Sequence, residues 1–177
     1  MQKTDASNGE GVANDASFIA RATAVQSAAP MPAAFAGPAP FRYEERMNKH
    51  SPCPPQARAP WSGKAYRLIP SAIDPKHFVP QAVANEAVLK DKKQKSCCSL
   101  HSLSMYESAD RLKEKILGVL ETQPNYLRHL GDHVVELQIS QGDGERTAAN
   151  SYGHFDFFER TSFDAMAVIQ SHWKLVP

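Results

Sequence analysis

A chain of 177 residues, 42% apolar and 22% charged, has room for one core of ordinary size. It contains no run of about 20 consecutive apolar residues of the kind that spans a bilayer. With 20 basic and 19 acidic residues the net charge is +1, which excludes a chain-wide field able to gather nucleic acid or anionic lipid.

Residues 1–60 are poor in branched aliphatics and hold most of the prolines, including the run AAPMPAAFAGPAP at 28–40. Proline blocks both helix and sheet pairing, so this part is expected to be a disordered arm, with one helical turn at 41–48 (FRYEERMN). The first 18 residues lack a basic start followed by an apolar core, and a secretory signal needs both. The expected location is the cytoplasm, or outside it by a route without a cleavable secretory signal. The three cysteines, Cys53, Cys97 and Cys98, are odd in number and two are adjacent, so they read as reduced thiols and not as a disulfide framework.

The folded part is expected at 61–177. Residues 64–69 (KAYRLI) alternate as a strand, with Tyr66 and Leu68 on one face and Arg67 on the other. Pro75 and Pro80 punctuate a loop that Phe78 and Val79 pin to the core, and a short helix follows from Asn85. The run 100–106 reads as a strand that hands over to a helix capped by Ser108, with Leu112, Ile116, Val119 and Leu120 at helical spacing. Gly131 closes a further helical turn. Residues 133–139 (HVVELQI) then make the clearest strand, with Val135, Leu137 and Ile139 opposite Glu136 and Gln138.

Gly142, Asp143 and Gly144 suit a tight turn with positive backbone angles, so a hairpin partner is expected either at 145–149 or at 154–159 (HFDFFE). In the latter, His154 and Asp156 share one face and Phe155 and Phe157 the other. Thr161 and Asp164 have the spacing of a capping box, from which a short final helix with Phe163, Met166 and Ile169 is expected, with Trp173 docking the tail. Strands and helices in this order predict a compact α+β domain with a mainly antiparallel sheet and two to four short helices.

Several chemistries can be weighed against these elements. Metal binding from Cys97 or Cys98, His101, and His129 or His133 is disfavoured, because adjacent cysteines poorly fill two corners of a tetrahedron; no metal is expected. Lys90, Lys92, Lys93 and Lys95 lack an aromatic stacking platform, so nucleic acid is not an expected partner. The GDG turn lacks the Lys-Ser/Thr of a phosphate loop. His154 and Asp156 can act as base and orienter, with Ser104 or Cys98 as nucleophile, although no nucleophile elbow surrounds either.

Arg67, Ser102, Ser104 and Glu159 suggest a different chemistry. A strand arginine can clamp a pyrophosphate, hydroxyls at a strand end can order a ribose, and a carboxylate can stabilise positive charge growing on that ribose. In chain order these residues resemble the mono-ADP-ribosyltransferase pattern of an early arginine, a Ser-Thr-Ser element and a Glu-x-Glu element. Ser102-Leu103-Ser104 departs from the second element at its centre, and Glu159 after Asp156-Phe157-Phe158 stands for the third. The resemblance implies NAD as cofactor, held by Arg67, Ser102 and Ser104, and Glu159 as the catalytic carboxylate with His154 assisting. It further implies an effector or toxin acting on a protein target.

The LSMYES, GDHVVELQI, GDG and GHFDFFE strings also resemble small uncharacterised bacterial proteins, which implies no activity. The rival expectation is a non-catalytic interaction domain. It would use an exposed sheet edge, or the polar face bearing Glu136, Gln138, His154 and Asp156. The transferase requires Arg67, Ser104 and Glu159 in one cleft.

Overall fold

The computed structural model describes residues 37–50, 52–70, 72–90 and 98–175. Seven strands form one antiparallel sheet: β1 Arg58–Pro60, β2 Gly63–Ile69, β3 Leu103–Tyr106, β4 His133–Ile139, β5 Gly144–Thr147, β6 His154–Glu159 and β7 Ile169–Lys174, in spatial order β1-β5-β6-β3-β2-β4-β7. The helices are α1 Glu44–Met47, α2 Gln81–Ala84, α3 Ala109–Leu120 and α4 Leu127–Leu130, with short 3-10 turns at Pro75–Phe78, Glu86–Lys90 and Cys98–His101. The expected α+β class with an antiparallel sheet is what is found. Among the described residues no helix is long and apolar enough to cross a membrane.

Alternation along the strands divides the interior in two. Ala65 and Ile69 of β2, Leu103 and Met105 of β3, Val135, Leu137 and Ile139 of β4, and Phe155 and Phe157 of β6 pack on one face, where Phe78 and Phe163 close over them. On the other face Leu112 and Ile116 of α3 meet Val134, Tyr66, Leu68, Tyr106 and Trp173. Helix α3 forms here because Ser108 accepts from the backbone N–H groups of Asp110 and Arg111, and its apolar residues recur on the side that faces the sheet.

Three expectations about chain path are corrected. The link between β4 and β5 is residues 140–143, yet β5 pairs with β1 and β6 and not with β4. Four strand spacings of about 4.8 Å separate β4 from β5 along the sheet, about the full reach of that link, so the sheet must curl around its Phe155 and Phe157 face. Gly144 serves close approach and not a positive angle, since a Cβ there would lie 2.4 Å from the Phe158 carbonyl oxygen, while a Cβ on Gly142 would meet nothing within 4 Å. Positive φ occurs instead at Gly63, Gly131 and Gly153.

The expected final helix is absent. Asp164 accepts from the Met166 N–H in a turn, and Ile169 opens strand β7 against β4. β-branched Val168 and Ile169 and the mixed run to Lys174 suit a half-covered strand better than a helix.

The structured region also begins earlier than Trp61. Phe41 bridges to Arg160 beside the end of β6, Met47 of α1 is buried with Phe158 and Cys98, and β1 pairs with β5 over all three of its residues. Residues 1–36 of the expected arm lie outside the described residues. Cys53 and Cys98 are joined as a disulfide with Cα atoms 5.4 Å apart, which corrects the expectation of free thiols at these two positions. Their separation of 45 residues in sequence hid the pairing. Cys97, Lys92, Lys93 and Lys95 lie outside the described residues.

Candidate functional site

β2, β3 with the residue just before it, and β6 supply the residues proposed for cofactor chemistry, and strand parity decides where each one goes. Arg67 shares its face with Ala65 and Ile69. Its Nε donates to the His77 carbonyl at 3.0 Å and its Nη1 to the Ser104 backbone carbonyl at 2.8 Å. The guanidinium is therefore engaged as a brace between β2, β3 and the 75–78 turn. Burial lowers it to about 10 while Glu159 pulls it upward, so it stays charged at neutral pH.

Glu159 follows Phe155 and Phe157 in parity and is 4% exposed. Burial raises its carboxyl to about 7, against the opposing pull of Arg42, a hydrogen bond from Tyr43, and Arg67. Arg42 Nη1 stands 3.9 Å from Oε2, and among the described residues Oε1 has no hydrogen-bond partner. Arg42 and Tyr43 were invisible to the motif reading because they sit in the segment taken for an arm.

The hydroxyls belong to the opposite face. Ser104 Oγ bonds to His154 Nε2, and the His154 ring packs edge-on to Tyr106 with centroids 5.1 Å apart. Burial lowers the His154 pKa, opposed by Asp156, so the imidazole is neutral at pH 7 and able to accept a proton. Asp156 is raised by burial, with His154 and a hydrogen bond from Ser102 acting the other way. Ser102 itself is buried at 5% exposure, and its Oγ also lies 2.8 Å from the Ser99 carbonyl oxygen, so its single hydrogen is shared between that oxygen and Asp156.

The structure thus gathers the expected residues into two groups: Arg67 with Glu159 on one face, and Ser102, Ser104, His154 and Asp156 on the other. Arg67, Ser104 and Glu159 do not converge on one cleft. The first arrangement holds a buried positive charge, and a buried carboxyl that takes up a proton near neutral pH. The second joins a hydroxyl to a neutral imidazole, with Asp156 acting on His154 through its charge and taking its own hydrogen bond from Ser102.

A depression of about 370 Å³ lies between β1 and β5, lined by Arg58, Trp61, Arg146 and Thr147, and none of the expected residues lines it. Glu145 of β5 was also missed. Its carboxylate lies 2.8 Å from Arg58 Nε, without the alignment of a hydrogen bond, and accepts from Arg160 Nη2 at 2.6 Å.

The ends of the sheet differ in their backbone. β1 is three residues long and ends in Pro60. β7 has six residues and, among the described residues, pairs only with β4. The Leu175 N–H bonds to the Asp132 carbonyl at 2.7 Å, which sets the antiparallel alternation. Trp173 therefore bonds inward to its partner Val134, while His172 and Lys174 turn their backbone N–H and C=O groups outward. Gln170, Ser171, His172 and Lys174 are exposed.

Comparison of the chain with known protein families, with characterised proteins and with solved structures finds no match.

Proposed function

We infer that this chain is a protein-interaction module that takes an extended segment of a partner protein along the outer edge of β7. The open ladder of that strand carries the reading: it is long enough for several main-chain hydrogen bonds and has no proline within it. Trp173 anchors it from beneath, edge-on to Tyr66 with centroids 6.3 Å apart, so an incoming strand would meet a supported edge. The other edge is too short, and too close to Pro60, for a second copy to extend the sheet head to tail. ADP-ribosyl transfer with NAD is less well supported, since the arginine and glutamate it needs are separated from its serines by the thickness of the sheet.

The test is His172→Pro in the full chain. The outward N–H of His172 is the donor an added strand would use, and proline is tolerated where a strand's N–H faces outward. A partner captured with the wild-type chain should bind the variant more than about tenfold more weakly by calorimetry, the loss expected from one or two main-chain hydrogen bonds. Equal affinity would remove the edge from consideration. A concentration-dependent dimer abolished by the same change would assign the edge to a second copy of the chain and overturn the partner reading.

A further inference from the structure

We propose that His50, Cys53, Cys98 and His101 form a structural zinc site when the Cys53–Cys98 disulfide is reduced. In sequence these residues are two mirrored short motifs, His50-Ser51-Pro52-Cys53 and Cys98-Ser99-Leu100-His101, each placing one thiol and one imidazole three positions apart. Neither is a metal motif alone, since each supplies only two ligands. The fold brings them together.

The two sulfurs are in contact, and the His50 and His101 rings lie with centroids 5.2 Å apart and planes inclined by 34°. Cys98 and His101 are the ends of a 3-10 turn, where side chains three apart eclipse one another and so point the same way. His50 follows α1, its N–H bonded to the Met47 carbonyl at 2.9 Å.

An independent sign comes from His101. It is 3% exposed, yet its Nδ1 has no hydrogen-bond partner among the described residues. A buried ring nitrogen without a partner costs stability unless something fills its lone pair, and a metal ion does that. The Cys98 sulfur also lies 3.0 Å from the Pro52 carbonyl oxygen, a contact that only a thiol hydrogen can turn into a hydrogen bond.

Two thiolates and two imidazoles form a neutral tetrahedral complex with Zn²⁺, with sulfur at about 2.3 Å and nitrogen at about 2.0 Å. All four positions would be filled by protein, so the site is structural and not catalytic. Arg46, whose charge acts on His101, is paired with Glu86 at 2.8 Å. Met47, Phe158 and Phe41 supply the apolar surround.

In the disulfide state no group of three or more His, Cys, Asp and Glu residues stands in metal-holding geometry among the described residues. Opening the site takes two electrons and two protons from a dithiol reductant, which becomes a disulfide as Cys53 and Cys98 become thiols. Zinc then forms two Zn–S bonds and displaces both protons. The same pair of segments is thus cross-linked covalently in oxidising conditions and by metal in reducing ones.

The experiment is a Co²⁺ titration of the full chain, with and without dithiol reductant, followed by displacement with Zn²⁺. The reduced chain should take up one Co²⁺ with the intense visible absorption of a tetrahedral ion and sulfur charge-transfer bands, and the oxidised chain should show neither. Cys53→Ser and Cys98→Ser should lose the charge-transfer bands in part. His50→Asn, which leaves both thiols in place, should weaken Co²⁺ binding at least about 100-fold, more than the loss of a merely supporting residue costs. Cys97→Ser should change nothing. The proposal is overturned if the reduced wild-type chain gives no tetrahedral spectrum, or if that spectrum persists unchanged in His50→Asn or moves with Cys97 in place of Cys53.

Discussion

The two edges of the sheet are finished in opposite ways. At the β1 end, the segment 41–60 is strapped over the sheet: Arg58 and Arg160 share the carboxylate of Glu145, both guanidiniums lie over the Phe41 ring, and Cys53 is tied to Cys98. At the β7 end, a longer strand carries exposed polar side chains and nothing among the described residues lies outside it. One edge has been closed by charge, aromatic contact and a cross-link, while the other keeps its backbone groups available. A protein that needed only solubility would be expected to blunt both edges.

The largest effect that would break this contrast is at Glu145. Glu145→Ala leaves Arg160, with a side chain only 10% exposed, and Arg58 without their shared anion. Breaking a largely buried pair in this way should lower stability by about 3 kcal/mol, read as a drop in the urea midpoint without a change in slope. A loss below about 0.5 kcal/mol would mean that the strap is held by its apolar contacts alone.

Glu159, beside Arg42 in the same strap, gives a pH test. Its folded pKa of about 7 lies above its ordinary value of 4.5. The folded state therefore binds this proton more tightly than the unfolded state, and the contribution of Glu159 to stability is fully present below pH 4.5 and is lost as pH rises through 7. Glu159→Gln should be more stable than the wild type at pH 8, by at most about 3 kcal/mol, and the difference should vanish near pH 4. A Glu159→Gln variant no more stable than the wild type at pH 8 would show Glu159 to be a well-paired carboxylate.

At the open edge the expected effect on stability is smallest. His172→Pro removes no inward ladder bond, so it should cost less than about 1 kcal/mol while abolishing strand addition. Trp173→Pro, at an inward-bonded position, should cost distinctly more. Equal losses would mean that the alternation along β7 runs the other way. NAD at millimolar concentration should leave the melting temperature of the full chain unchanged and release no nicotinamide. A shift that Arg67→Ala abolishes would restore the transferase reading.

Local patterns were legible in the chain itself. Ser108 and the apolar spacing behind it specify α3, and the alternation of residues 133–139 and 154–159 specifies β4 and β6 with the right residues on each face. These follow from interactions within a few residues: a cap reaching two or three positions onward, and a side-chain period of two. The same parity explains why the candidate site did not assemble, because Arg67 and Ser104 are residue types that fit a motif in order while their strands turn them to opposite sides.

Long-range pairing was decided only in the tertiary structure. β7 carries a weak pattern that resembled a helix start, and its strand character comes from pairing with β4, more than thirty positions away. β5 follows a turn suited to a hairpin but pairs with β6 and β1, because the curled sheet brings those strands to the end of β4. His50 and Cys53 meet Cys98 and His101 across 45 residues, and no local propensity records a partner at that distance. The sequence by itself determined which faces would be apolar and where α3 begins, since those depend on neighbours along the chain. Which edge is strapped, which stays open and which half-motifs become one cluster depend on how distant segments pack, and only the fold could decide them.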